Sequence, residues 1–167
     1  MKSLRPAPLR SPSWAGALCA LALLAAPAIH AADIVVTGSW FETVDQADLA
    51  AGAGSDVRSP IESAANVATL DVTNTGGASW TVQLARSDAS WPSDVAVAAL
   101  RTSDGSGSGT IGGGTAYVTV SGAPQTFFTG SGDRSGIQIR LKTSGLSVRS
   151  VGPGTYSTTL TYSVVSN

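Results

Sequence analysis

Apolar and polar residues alternate with a period of two along much of this chain, and that periodicity is what most narrows the folds open to it. The longest run is 155–165. It places Tyr156, Thr158, Leu160, Tyr162 and Val164 on one side and Ser157, Thr159, Thr161 and Ser163 on the other. Successive strand side chains point to opposite faces, so this pattern predicts a strand with one face on a core. Shorter runs repeat it. Segment 66–73 sets Ala68, Leu70 and Val72 against Thr69, Asp71 and Thr73, and 79–86 sets Trp80, Val82 and Leu84 against Thr81, Gln83 and Ala85. Segments 94–101, 115–121 and 136–142 follow, with Val95, Val97 and Ala99, then Tyr117, Val118 and Val120, then Ile137, Ile139 and Leu141. Thr, Val, Ile and Tyr suit a pleated surface, because branching at Cβ restricts helical rotamers and packs well between strands.

The links between these runs carry turn chemistry. Asn74-Thr75-Gly76-Gly77 joins the 66–73 and 79–86 runs and predicts a β-hairpin there. The Gly/Ser-rich segment 103–115 predicts a flexible hairpin loop. Segment 33–40 is a further strand, 40–51 fits a short helix capped by Thr43 and Gln46 and ended at Gly52 as well as an irregular strand, and 55–65 is a loop punctuated by Pro60. Turn signals every ten or so residues point to an all-β fold, a single antiparallel Ig-like β-sandwich of about seven to eight strands.

The first residues have a different character. Lys2, Arg5 and Arg10 precede an uncharged stretch, 15–26, then Pro27 and the small residues Ala28, Ala31 and Ala32. This order of basic, apolar and small residues predicts a signal peptide over 1–31, with cleavage after Ala28, Ala31 or Ala32 and a single domain over 32–167. The apolar stretch is shorter than the roughly 20 residues a membrane span needs. The expected location is therefore outside the cytoplasm: periplasm, cell surface or medium. Cleavage after Ala31 or Ala32 removes Met1, Cys19 and His30, the only residues of their types.

That loss narrows the chemistry. Without Cys or His, thiol nucleophiles, imidazole bases and the usual zinc ligand sets are gone. Gly107-Ser108-Gly109-Thr110-Ile111-Gly112 has the spacing of a dinucleotide fingerprint, but a strand rather than a helix follows it, so no helix N-terminus meets a pyrophosphate. Lys142, the one lysine after the leader, lies in a strand beside Arg140 with no serine at a catalytic spacing. Carboxylate-only glycoside cleavage would need a selected pair of acids, and nothing in the sequence selects one. Asp45, Asp48 and Asp56, and separately the loop from Gly130 to Gly136 with Asp133, offer oxygen ligands for calcium, but they match no calcium-loop spacing and read as turn acids. We therefore expect no enzyme, no cofactor and no metal. Seven bases and eleven acids after the leader leave a net charge of −4, with the bases scattered singly. This argues against nucleic acid or an anionic membrane as partner.

Aromatic residues in connections are the remaining binding candidates. Trp40 and Phe41 follow the first strand, Trp91 precedes Pro92, and Tyr117 opens a strand. Such side chains stack on sugar rings or anchor a protein partner; the competing role is to cap the core. Phe127-Phe128 is a pair of which alternation exposes one.

The segment Pro153-Gly154-Thr155-Tyr156 leading into Leu160 and Tyr162 resembles the closing strand of secreted bacterial Ig-like sandwich domains of the spore-coat-protein-U and fimbrial-subunit kind. The resemblance covers this strand only. It implies an exported structural or adhesive surface protein, a pilus-like or coat-like subunit whose neighbours add a strand to an open sheet. Ile34, Val35 and Val36 then form the candidate donor strand. Two features differ from that family: no disulfide is available after cleavage, and five residues follow Tyr162. The alternative expectation is a carbohydrate- or protein-binding module using Trp40, Phe41, Trp91 and Tyr117.

Overall fold

The structure is a computed structural model and describes residues 31–88, 90–149 and 151–167. The predicted leader, apart from Ala31, lies outside the described residues. In chain order the strands are β1 (Asp33–Gly38), β2 (Ile61–Glu62), β3 (Ala68–Thr73), β4 (Ser79–Asp88), β5 (Ala96–Arg101) and β6 (Ser106–Gly107). They continue as β7 (Ile111–Gly113), β8 (Val118–Thr119), β9 (Gln125–Ser131), β10 (Arg134–Ser144) and β11 (Thr158–Ser166). All pairings are antiparallel. One sheet runs β1-β3-β10-β5-β8, with β2 and β6 also on β10; the other runs β11-β4-β9-β7. The fold is an all-β sandwich. Seven strands have six or more residues and four have two or three; alternation anticipated six of the seven long strands and missed β9, while the run at 115–121 supplies only the two-residue β8.

The core is what the alternation selects. Leu70, Val72, Ile137, Ile139 and Ala99 from the first sheet meet Trp80, Val82 and Leu84 from the second, all fully buried. Trp80 is the largest of them. Its indole N–H donates to the carbonyl of Gly132 at 2.8 Å, so its one polar group is satisfied. Phe128 packs edge-on against it, with centroids 6.1 Å apart. Gly130 has to lack a side chain, because a Cβ there would overlap the Trp80 ring.

Several expectations are corrected. The 66–73 and 79–86 runs do not form a hairpin. β3 and β4 lie in different sheets, and residues 74–78 cross between them. Both strands bury one face, and that pattern is the same whether two strands pair or oppose each other across a core. The glycine-rich segment is likewise no hairpin loop. β6 pairs with β10 in the first sheet and β7 with β9 in the second, so this segment also changes sheets. Phe127 and Phe128 are both buried. Val82 pairs with Phe128 and Gln83 with Thr126, so Phe127 is the extra residue of a β-bulge that suspends the alternation. The 40–51 segment holds a 3-10 turn, Gln46–Asp48, and an isolated antiparallel bridge from Leu49 to Val57; the capping box of the turn is Asp45 with Asp48 rather than Thr43 with Gln46. Of 115–121 only Val118 and Thr119 pair as a strand. Tyr156 precedes β11 instead of belonging to it.

Candidate functional site

The sandwich is not covered equally on all sides. A groove of about 1400 Å³ separates part of the first sheet from β11. Its floor includes Val36, Val97, Leu141, Leu160 and Tyr162, and segments 39–49 and 146–157 wall it. Val36 pairs with Leu70 and shares the inward face of β1 with Ile34. Leu70 is fully buried while Val36 stays 41% exposed, because the facing sheet does not extend over it.

Three of the four aromatic candidates come together here. Trp40, Phe41 and Trp91 all line the groove. The Trp40 indole N–H donates to the Glu42 carboxylate at 3.3 Å, and Trp91 donates to the Val95 carbonyl at 2.7 Å. Both indoles are half-buried, whereas Phe41 is 89% exposed. Tyr117 does not join them. It lies on the outer face of the first sheet, with the Lys142 ammonium 3.8 Å from its ring centroid. Burial, and then the Glu62 carboxylate, push its hydroxyl pKa up.

Sequence reasoning missed the other half of the lining. Tyr156 donates from its hydroxyl to Gly152 at 2.8 Å and folds its own loop against the groove. Leu160 and Tyr162 carried the signal of inward-facing residues, but alternation does not tell whether anything faces them. The Tyr162 hydroxyl is covered and has no hydrogen-bond partner among the described residues. Burial holds its pKa well above the ordinary tyrosine range.

The acids weighed for calcium have other duties. Asp45 and Asp48 cap the 3-10 turn. Asp56 accepts from the backbone N–H groups of Val57 and Val148, both at 2.8 Å, and from Ser147 Oγ at 3.0 Å, which lowers its pKa. Asp133 accepts from the Thr75 hydroxyl at 2.7 Å and its N–H at 3.0 Å, again with a lowered pKa. Among the described residues no three or more acids, His or Cys are grouped to hold a metal.

The candidate donor residues Ile34, Val35 and Val36 sit in β1, an edge strand paired with β3 of the same chain. β11 edges the other sheet. The two edges come together where the Ala32 N–H donates to Ser166 Oγ at 3.3 Å. Val35, Val36 and Val165 are large apolar residues left exposed on these two strands.

Fold and site define an antiparallel β-sandwich with two long edge strands and an aromatic-lined groove. No family model, curated protein or solved structure matches this chain. No helix among the described residues is long and apolar enough to cross a membrane.

Proposed function

We propose that this is an exported structural or adhesive surface protein that self-associates, as a pilus-like or coat-like subunit does, through its β1/β11 side. The observation that carries the reading is the pair of edges there. β1 has six residues and β11 nine, each is paired on one side only, and valines are exposed on both. Natural sheets usually protect such edges with short strands, charge or proline, because unpaired N–H and C=O groups recruit another strand. The alternation of Thr/Ser with apolar residues in β11 and the likeness of 153–162 to subunit closing strands support the same reading. Addition of a neighbour beside β1 or β11 needs no rearrangement. Donation of Ile34–Val36 to a neighbour requires β1 to leave β3.

Light scattering after size exclusion tests this on the purified protein. We expect oligomers, and Val35→Lys should return them to monomer without lowering the melting temperature. A wild-type protein that is monomeric at high concentration overturns the proposal.

A second reading is a carbohydrate- or protein-binding module, favoured by the convergence of Trp40, Phe41 and Trp91 on one groove. A glycan series that leaves tryptophan emission unchanged removes its sugar-binding form.

A further inference from the structure

We infer that the groove binds a cationic amphiphile, a molecule with one aliphatic chain ending in an ammonium group. The inference rests on the second reading above, that the groove is a binding site, and names the ligand class.

Three properties of the groove carry it. The first is size and shape. About 1400 Å³ is more than the roughly 300–1,000 Å³ of most small-ligand pockets, so a chain and its head group both have room. The second is the floor. Val36, Val97, Leu141 and Leu160 are aliphatic side chains that a flexible alkyl chain covers better than a hydroxylated sugar does. Burying polar hydroxyls on such a floor leaves them without partners.

The third is charge. Glu42 and Asp45 line the groove, and among the described residues no Lys or Arg does. Among the described residues neither carboxylate is in an ion pair: the Glu42 carboxylate accepts from the Trp40 indole at 3.3 Å, and Asp45 accepts from the backbone N–H of Ala47 at 2.7 Å. Trp40 and Phe41 directly precede Glu42 and line the same groove, and Phe41 is nearly fully exposed. Aromatic faces attract ammonium groups through their quadrupole, and adjacent carboxylates add to that attraction. The same charges repel a fatty carboxylate and give a sugar head no advantage.

The test keeps one tail and changes the head. Decyltrimethylammonium, decanoate and decyl maltoside, each below its micelle concentration, are titrated into the purified protein. Maltohexaose serves as a sugar without a tail. The readouts are tryptophan emission for binding and circular dichroism for an intact fold. The ammonium ligand should bind at least about tenfold more tightly than decanoate, with the maltoside between them. Trp40→Phe and Trp91→Phe should remove the emission change. The double variant Glu42→Gln with Asp45→Asn should shrink the preference to about threefold or less, and Asn caps the 3-10 turn as Asp does.

Equal affinity for ammonium and carboxylate overturns the inference. So does tightest binding of the maltoside, or an ammonium preference untouched by the double variant, which would place the cation elsewhere on this acidic protein. Binding of maltohexaose without the amphiphiles overturns the inference and leaves the second reading standing. Silence from all four ligands overturns the inference and leaves only the protein-binding form of the second reading to be tested.

Discussion

The two lateral sides of this sandwich are built from the same alternating strands yet end differently. On one side the edges are β8 and β7, of two and three residues. The glycine-rich segment that carries β6 and β7 crosses from sheet to sheet, pressed so closely on its neighbours that Cβ atoms at Gly105, Gly107 and Gly109 would overlap the carbonyl oxygens of Ser135, Asp133 and Ser131. Arg101, only 5% exposed, ties this side down. It donates to the Gly113 carbonyl at 2.9 Å, pairs with Asp104 and lies over the Phe128 ring. On the other side β1 and β11 are long, valines are exposed, and the connecting segments wall a groove instead of filling it. The contrast teaches that strand pattern builds the layers, while the links decide which flank closes.

The largest expected effect is on the closed side. Gly107 has φ of 141°, a conformation that side chains rarely adopt, besides its lack of space. Gly107→Ala should cost about 3 kcal/mol or more in denaturant unfolding. Gly112→Ala, five residues on in β7 with nothing near its Cβ and no positive φ, should cost less than about 1 kcal/mol. Equal losses would break the claim that close backbone approach, rather than glycine content, closes this flank.

Acid should act on both sides. Asp133 holds the β3–β4 crossing through Thr75, and Asp56 holds the groove segment at Ser147 and Val148. Both carboxyls titrate below their ordinary value. Their stabilising contribution is therefore complete above the unfolded value of about 4 and is lost as pH falls through the depressed folded values. Melting temperature should drop on going from pH 6 to pH 3. Asp133→Asn and Asp56→Asn should each start lower at pH 6 and fall less. A variant that keeps the full acid drop shows that its carboxylate is not the group responsible.

The smallest effect belongs to the open side. The Tyr162 hydroxyl is covered without a partner among the described residues, so its removal forfeits no hydrogen bond there. Tyr162→Phe should leave stability unchanged or raise it by up to about 1 kcal/mol, read as a shift in melting temperature. A clear loss would mean that this oxygen has a partner in solution, and that the groove is narrower than described.

Legibility followed the physics of each feature. The inward faces of β3, β4, β10 and β11 were legible because burial of one face imposes a period of two on the residues themselves. Phe127 was not, since a bulge changes the count on one strand only and leaves no mark in its own residues. The turn at 74–77 was legible as a turn, with Asn74, Gly76 and Gly77 all at positive φ. Its destination was not, because a turn residue sets local backbone angles and not the sheet that the next strand joins. Trp40, Phe41 and Trp91 were legible as loop aromatics, but their convergence was not, nor was the separation of Tyr117 from them.

By itself, then, the sequence determined the all-β class, six of the seven long strands and the inward faces of those with clear alternation, because each follows from local side-chain periodicity and turn chemistry. Only the tertiary structure decided which strands share a sheet, that two links change sheets, that one flank is sealed by glycine and Arg101, and that the other holds a groove. Those outcomes depend on contacts between residues far apart in the chain, such as Gly107 with Asp133 or Trp80 with Gly132, and no local pattern encodes which distant segment arrives to cover an apolar face.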